Sequence, residues 1–441
     1  TDANGQDPYS GYVEGRRTWL HFGKVRSFML TTELDKQLGN HNLRIGLNEW
    51  FYHLNYHSSS FQWYGTVNNY PTILYGNYYN PFTGATSRSQ TYDFNELSPE
   101  YTKGNENKLA LYITDTWQVT PKFKLLYGGR LEYYRMSADQ ISLGRYNGFY
   151  IGGTNAGGVT VEPAKVTKDK LNYAATIQGQ YALTDKFGFL ADATVATRFP
   201  RISDYAGTGP TEEQYNRVTI PLIRGGVYFK NSWIDLTSMI TYISKSNNID
   251  QQNLTNPGTS ESKTVLLIYD IHTLGWTTSA EIDPFKGFHL HALFTWQKPQ
   301  YKNYNASVTF NNGNTMSVDA DKMIVKEIPQ ILIEFDPSYQ ITKDVRAWLS
   351  FRYFGKTYAN LQEAFYFNGH WETFGGVNWQ VNKHLSLGVD VVNIFNQSGA
   401  KGTINGTELV TKDEAKKYAG YIMSGSYLRP FTVEFSASLK F

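Results

Sequence analysis

The chain has 441 residues, no cysteine and a formal net charge of +2, which excludes a disulfide scaffold and cysteine metal sites and gives no bulk field for a nucleic-acid partner. Charged residues make up 18% of it, below the roughly 25% usual for soluble domains, whereas Tyr (33), Phe (26) and Trp (10) reach 16%. That aromatic mix suits strands, and no run approaches the ~20 apolar residues a membrane-spanning helix needs.

The opening TDANGQDPYSGYVEG has neither a basic n-region nor an apolar h-region, so it reads as a processed terminus or the interior of a longer chain. A first strand is expected over about Val25 to Leu38. A second follows the Gly39-Asn40 turn, and its apolar phase slips between Leu47 and Trp50, which reads as a bulge or strand end. Residues 61–82 hold the densest cluster of aromatics and amides outside the ladders. There Trp63, Tyr64, Tyr70, Tyr75, Tyr78 and Tyr79 suit stacking on a flat chelate, a corrin ring or a sugar, and equally suit an interfacial aromatic girdle.

The next ladder carries Leu111, Ile113 and Trp117 with Asp115 in the same phase, again read as a bulge or strand end. Strict two-residue alternation recurs through Leu171–Tyr181, Phe187–Val195, Phe288–Trp296, Val345–Tyr353, Leu385–Val391 and Phe431–Phe441. Seven short turns join ladders directly, at 39–40, 121–122, 185–186, 231–232, 284–287, 343–344 and 382–383. Between them lie long polar connections at 68–105, 137–169, 199–216, 249–263, 297–327 and 399–424, with a shorter one near 357–369.

Seven hairpins plus a terminal strand give about 15 strands, each able to cross a bilayer, with short turns on one side and long loops on the other. The expected fold is therefore all-β, a transmembrane antiparallel up-and-down β-barrel occupying residues 25–441. Residues 1–24 are then an extracellular loop remnant. On every strand the apolar phase should meet lipid and the polar phase the lumen.

Arg201 and Tyr205 follow the Phe199-Pro200 strand end and could meet an anionic ligand or form a wall-to-loop ion pair. His289 and His291 share one phase and could present two imidazoles to a metal, or hydrogen-bond whatever fills the lumen; His53 and His57 pose the same choice. Asp319, Asp321 and the stretch 412–421 read as solvated loop, the latter as a short helix. No nucleophile, base and orienter fall together, so no enzyme activity, catalytic residue or resident cofactor is expected.

Several segments resemble the barrel of the TonB-dependent outer-membrane transporters. The hairpin 109–133 resembles that family's recurrent pairing of an Asp-Trp strand with a Gly-Arg strand. Ala196-Thr-Arg-Phe-Pro-Arg201 resembles its Phe-Arg-Ala-Pro strand end, and Val392-Asn-Ile-Phe-Asn396 its Asn-Leu-Phe-Asp element. The last strand, ending at Phe441, resembles the signal by which such barrels are recognised for assembly. The resemblance implies a Gram-negative outer-membrane location and the C-terminal part of a 22-stranded barrel whose N-terminal plug and remaining strands lie outside this sequence. It also implies contact with outer-membrane lipid, energy from the TonB complex through that N-terminal region, and import of a scarce small-molecule ligand. A ferric siderophore or other iron chelate is the first expectation, a corrinoid or oligosaccharide the next, with a surface lipoprotein as a further candidate partner. A passive porin or an outer-membrane enzyme is the alternative class.

Overall fold

Fifteen strands pair in chain order into one antiparallel sheet in the computed structural model, which describes residues 13–70, 72–74, 77–79, 86–88, 100–141, 164–199, 216–256, 261–402, 404, 407–421 and 425–440. They are β1 (Val13–Leu38), β2 (His41–Thr66), β3 (Glu100–Thr120), β4 (Phe123–Ile141), β5 (Ala164–Ala182), β6 (Phe187–Arg198), β7 (Val218–Lys230) and β8 (Ile234–Thr255). They continue with β9 (Ser262–Ile282), β10 (Phe288–Lys302), β11 (Ile331–Thr342), β12 (Val345–Phe354), β13 (His370–Gln380), β14 (Leu385–Val392) and β15 (Thr432–Leu439). Among the described residues, β1 and β15 are each paired along one edge only. The expected number of strands and all seven short turns are present.

Three expectations are corrected. Residues 13–24 are not loop: β1 begins at Val13 and pairs with β2 from Val13↔Thr66 down to Leu38↔His41 without a break. The connection expected over 249–263 is mostly strand, since β8 runs to Thr255 and β9 starts at Ser262. These extensions lack the apolar alternation that marks a lipid-crossing segment, so backbone pairing carries them where the side-chain pattern is silent. The third correction concerns the two supposed bulges. The register is unbroken through Leu47, Trp50 and Asp115, so Trp50 lies on the polar face and Asp115 on the apolar one. Asp115 is accommodated there because His41 Nδ1 lies 2.6 Å from its carboxylate and the Tyr127 hydroxyl donates to it at 2.8 Å, while His41 stacks on Trp117.

Every short turn is built from its own residues. Thr120 and Thr184 Oγ1 each accept backbone N–H groups two and three residues ahead, and Asn231 and Asn382 Oδ1 do the same. At three turns a glutamine two residues before that position clamps the reversal. Gln118, Gln340 and Gln380 donate Nε2 to the carbonyls of Thr120 and Phe123, Thr342 and Val345, and Asn382 and Leu385 respectively, at 2.5–3.4 Å. An aromatic residue, Trp117, Tyr339 or Trp379, precedes each glutamine. Gly39 takes φ +58° at the first turn and Gly287 φ +87° at the fifth, conformations that favour glycine.

Alternation then gives the sheet two chemically distinct faces. Leu111, Ile113, Leu131, Ile177, Phe189, Ile223, Ile240, Trp276, Phe335, Leu349, Val377, Val389 and Phe435 are all exposed on one face, as a lipid-facing surface requires. The opposite face carries the charged and amide side chains.

Candidate functional site

On the polar face, the register sets one row of partners across four strands: Trp50↔Lys108 between β2 and β3, Lys108↔Tyr134 between β3 and β4, and Tyr134↔Lys170 between β4 and β5. Aromatic and cationic side chains thus alternate along a line perpendicular to the strands. The Lys108 ammonium sits 4.5 Å from the Trp50 ring centroid and 5.4 Å from that of Tyr134. Lys170 lies 6.0 Å from the Phe199 ring; the Arg217 guanidinium lies 5.3 Å from the same ring and 5.2 Å from Tyr173, which shares the apolar phase of Leu131. Phe199 packs with Leu54, Tyr134, Met136 and Ala138 in a small apolar cluster beside this row. None of Trp50, Lys108, Lys170 or Arg217 stands out in the sequence. The available signal was the phase slip at Trp50, which marks an aromatic side chain turned to the polar side.

One step nearer the short turns, a hollow of about 500 Å³ opens in the same face, lined by Thr31, Asn48, Tyr112, Thr114, Arg130, Thr176 and Thr194. Gly128 is required there, because a Cβ would stand 2.6 Å from the Ile113 carbonyl oxygen. Arg130 at its edge pairs with Glu132 at 2.9 Å and donates to Asn48 at 3.3 Å. Further ion pairs continue around the face: Arg224 to Asp192 at 2.9 Å, Arg352 to Glu334 at 3.2 Å and Lys401 to Glu372 at 2.6 Å. His291 Nδ1 meets Glu281 at 2.7 Å and His289 Nδ1 meets Asp283 at 2.9 Å. Both imidazoles therefore have carboxylate partners, and among the described residues no group of three or more His, Cys, Asp or Glu could hold a metal ion. His53 Nδ1 lies 2.9 Å from the Asn105 side-chain oxygen.

Above β8 to β13, four connections pack into one cap. Its core is Leu254, Leu267, Tyr301, Tyr304, Phe310, Val318, Val325 and Leu361. The Tyr304 hydroxyl donates to Asp250 at 2.5 Å, and Tyr269 lies with ring centroids 4.7 Å from Tyr304 and 5.6 Å from Tyr301. These phenols lie beyond the apolar band that ends near Leu274. Burial pushes Tyr269 up to about 12 and raises Tyr301 and Tyr304 further. Asn360, fully buried, ties the cap together by donating to the carbonyls of Thr407 and Val410 and accepting from the backbone of Ala364 and Phe365. The short helix expected within 412–421 is a 3-10 turn over Glu414–Tyr418. Thr411 and Glu414 hydrogen-bond reciprocally at its entry, and those hydrogen bonds hold the Glu414 carboxyl below its ordinary value.

Of the ligand residues expected from sequence, Tyr70 is 87% exposed, on a turn pinned by its backbone N–H donating to Asn68 Oδ1 at 2.9 Å. Trp63 and Tyr64 lie on β2, and Tyr78 and Tyr79 on a short strand paired with Thr86–Arg88. The side chains of these four residues, together with Tyr75, Arg201, Tyr205 and Phe441, lie outside the described residues. The Val392-Asn-Ile-Phe-Asn396 element has a structural role. Asn393 and Asn396 adopt φ +54° and +46°, and Asn393 donates to the carbonyls of Gln397 and Arg429, fastening the end of β14 to the approach of β15.

Residues 10–186 match a family model described as an outer membrane beta barrel domain. No curated protein matches the chain. Among solved structures, the ferric-catecholate import receptor Fiu of E. coli K12 in its closed form aligns with TM-score 0.62 and 17% identity over 95% of this chain and 55% of that one. The ferric yersiniabactin uptake receptor FyuA of Yersinia pestis gives TM-score 0.61, 14% identity, 98% and 56%. The ferric citrate transporter FecA, unliganded, gives TM-score 0.57, 13% identity, 98% and 56%. The chain thus spans about half the length of the structures it matches. Its 15-stranded antiparallel sheet matches the fold of these outer-membrane receptors, and its location is the Gram-negative outer membrane.

Proposed function

We propose that this outer-membrane barrel chain forms the ligand-facing wall of a TonB-dependent importer of a ferric siderophore or another anionic iron chelate. The observation that carries the reading is the Trp50–Lys108–Tyr134–Lys170 row, flanked by Phe199, above a belt in which each named charge already has a partner. Aromatic faces bind flat organic groups, and the cations between them offset anionic charge that the paired belt below leaves unopposed. The ferric ligands named for Fiu, FyuA and FecA point the same way. A corrinoid would use the aromatic faces and leave the cations idle, so it ranks second.

Residues 61–82, Arg201 and Tyr205 are proposed to complete the ligand surface from the extracellular side. Titration of the full-length protein with ferric chelates, followed by tryptophan fluorescence, tests the assignment. Saturable binding that weakens about fivefold to thirtyfold in Lys108→Met is expected, the loss of one cation facing the anionic chelate. Binding of corrinoid or oligosaccharide with no response to ferric chelates would overturn it.

A further inference from the structure

The lipid-facing surface of the last strands is not smooth. An apolar groove of about 500 Å³ crosses it where small residues replace large ones in consecutive strands. Its floor is Ala347 on β12 and Gly375 on β13, and its walls include Tyr339, Leu349, Val389 and Val391. The register sets these residues side by side, with Tyr339↔Ala347, Leu349↔Gly375, Val377↔Val389 and Gly375↔Val391. Gly375 keeps the floor open, because a Cβ there would lie 2.6 Å from Leu349 Cδ2 and 3.1 Å from Ile394 Cδ1.

The foot of the groove is basic. Tyr339 and Ala347 stand only a few residues above the 343–344 turn, about 10 Å along a strand. The three turns serving the groove strands each carry an exposed lysine, Lys286, Lys343 and Lys383. Two acidic residues lie among them. Asp283 is engaged by His289 at 2.9 Å, and Asp344 stays 4.0 Å from Lys343 Nζ. His384, the other titratable group in these turns, is committed to the Lys440 carbonyl at 2.9 Å. Phe285, Tyr339 and Trp379 are exposed close to the same turns, where amphipathic rings settle at the headgroup boundary.

We propose that this groove seats an acyl chain of an anionic phospholipid from the adjoining leaflet, with its phosphate beside Lys343 and with Lys286 and Lys383 flanking it two strands away on either side, about 10 Å each. Charge complementarity selects this occupant over a second copy of the chain, whose matching face would bring the same three lysines together. The proposal rests on the outer-membrane location and is independent of the transported ligand.

Native mass spectrometry of the full-length protein, extracted from vesicles of equal phosphatidylglycerol and phosphatidylcholine content, tests it. Wild type is expected to retain phosphatidylglycerol over phosphatidylcholine by about tenfold, as near-surface lysines favour anionic headgroups. The K286Q/K343Q/K383Q variant should fall to near parity while keeping heat-modifiable migration on gels. Filling the floor with Ala347→Phe should reduce retention of both lipids. Equal retention by wild type, an unchanged preference in the triple glutamine variant, or a dimer in place of bound lipid would each overturn the proposal. If Ala347→Phe fails to fold, the lysine variant decides alone.

Discussion

The two ends of the sheet solve the same problem differently. β1 and β2 have 26 residues each, whereas β14 and β15 have 8, although both pairs belong to one membrane wall. The part common to all strands is the segment with an apolar face. Beyond it, the first hairpin simply continues its backbone ladder, each added residue pair held by the hydrogen bonds of its neighbours. Above the later strands the ladder stops, and connecting segments are held instead by a tyrosine-rich core and by Asn360. A ladder extension tolerates side-chain change because its bonds are in the backbone; a packed cap depends on particular side chains.

The largest effect should therefore come from Tyr304→Ala. Removing a fully buried aromatic side chain costs about 3–5 kcal/mol, and hydrogen exchange across Asn305–Thr309 and Thr315–Asp319 should accelerate accordingly while β1 and β2 keep their protection. Equal acceleration in both regions would erase the distinction. Asn360→Ala should follow, at about 1–3 kcal/mol, because it leaves the Ala364 and Phe365 N–H groups and the Val410 carbonyl unmet, the Thr407 carbonyl keeping the Val410 N–H.

Alkaline pH sharpens the contrast next. Raised phenol values mean that the folded cap holds these protons more tightly than the unfolded chain does. Their stabilisation is thus fully present below pH ~10, the ordinary tyrosine value, and is lost as pH rises through about 12, where Tyr269 ionises. Phenolate absorbance should show a late-ionising class, and cap exchange should rise in that window; ionisation of every tyrosine near the ordinary value would contradict the burial argument. The smallest effect is expected at the short turns. Gln380→Ala should cost about 0.5–1.5 kcal/mol, read as a small drop in thermal midpoint, since Asn382 still holds the reversal.

Much of the fold could be read from the amino acids alone. Ladders such as Phe288 to Trp296 declare a lipid face, and Pro121-Lys122 or Asn382-Lys383 declare a reversal, because each signal is local. Strand length beyond the membrane was invisible, as at Val13–Lys24, where the pairing partner and not the side-chain pattern sets the conformation. Asp115 shows a second limit. A carboxylate on the apolar face looks like a break in the strand until His41, 74 positions away in sequence, is seen to meet it. The candidate site was hidden for the same reason, since Trp50, Lys108, Tyr134 and Lys170 form a row only once three registers are known. Conversely, the aromatics of 61–82 draw notice through local density alone, a signal that does not depend on register.

The proposed role of this wall is energised import of an iron chelate. Uptake of a radioactive ferric chelate by cells expressing the full-length protein, with and without a proton uncoupler, tests it most directly. Saturable uptake that collapses when the proton gradient is dissipated and weakens in Lys108→Met is the expected result. Uptake that rises linearly with concentration and ignores the uncoupler would describe a passive pore and contradict it.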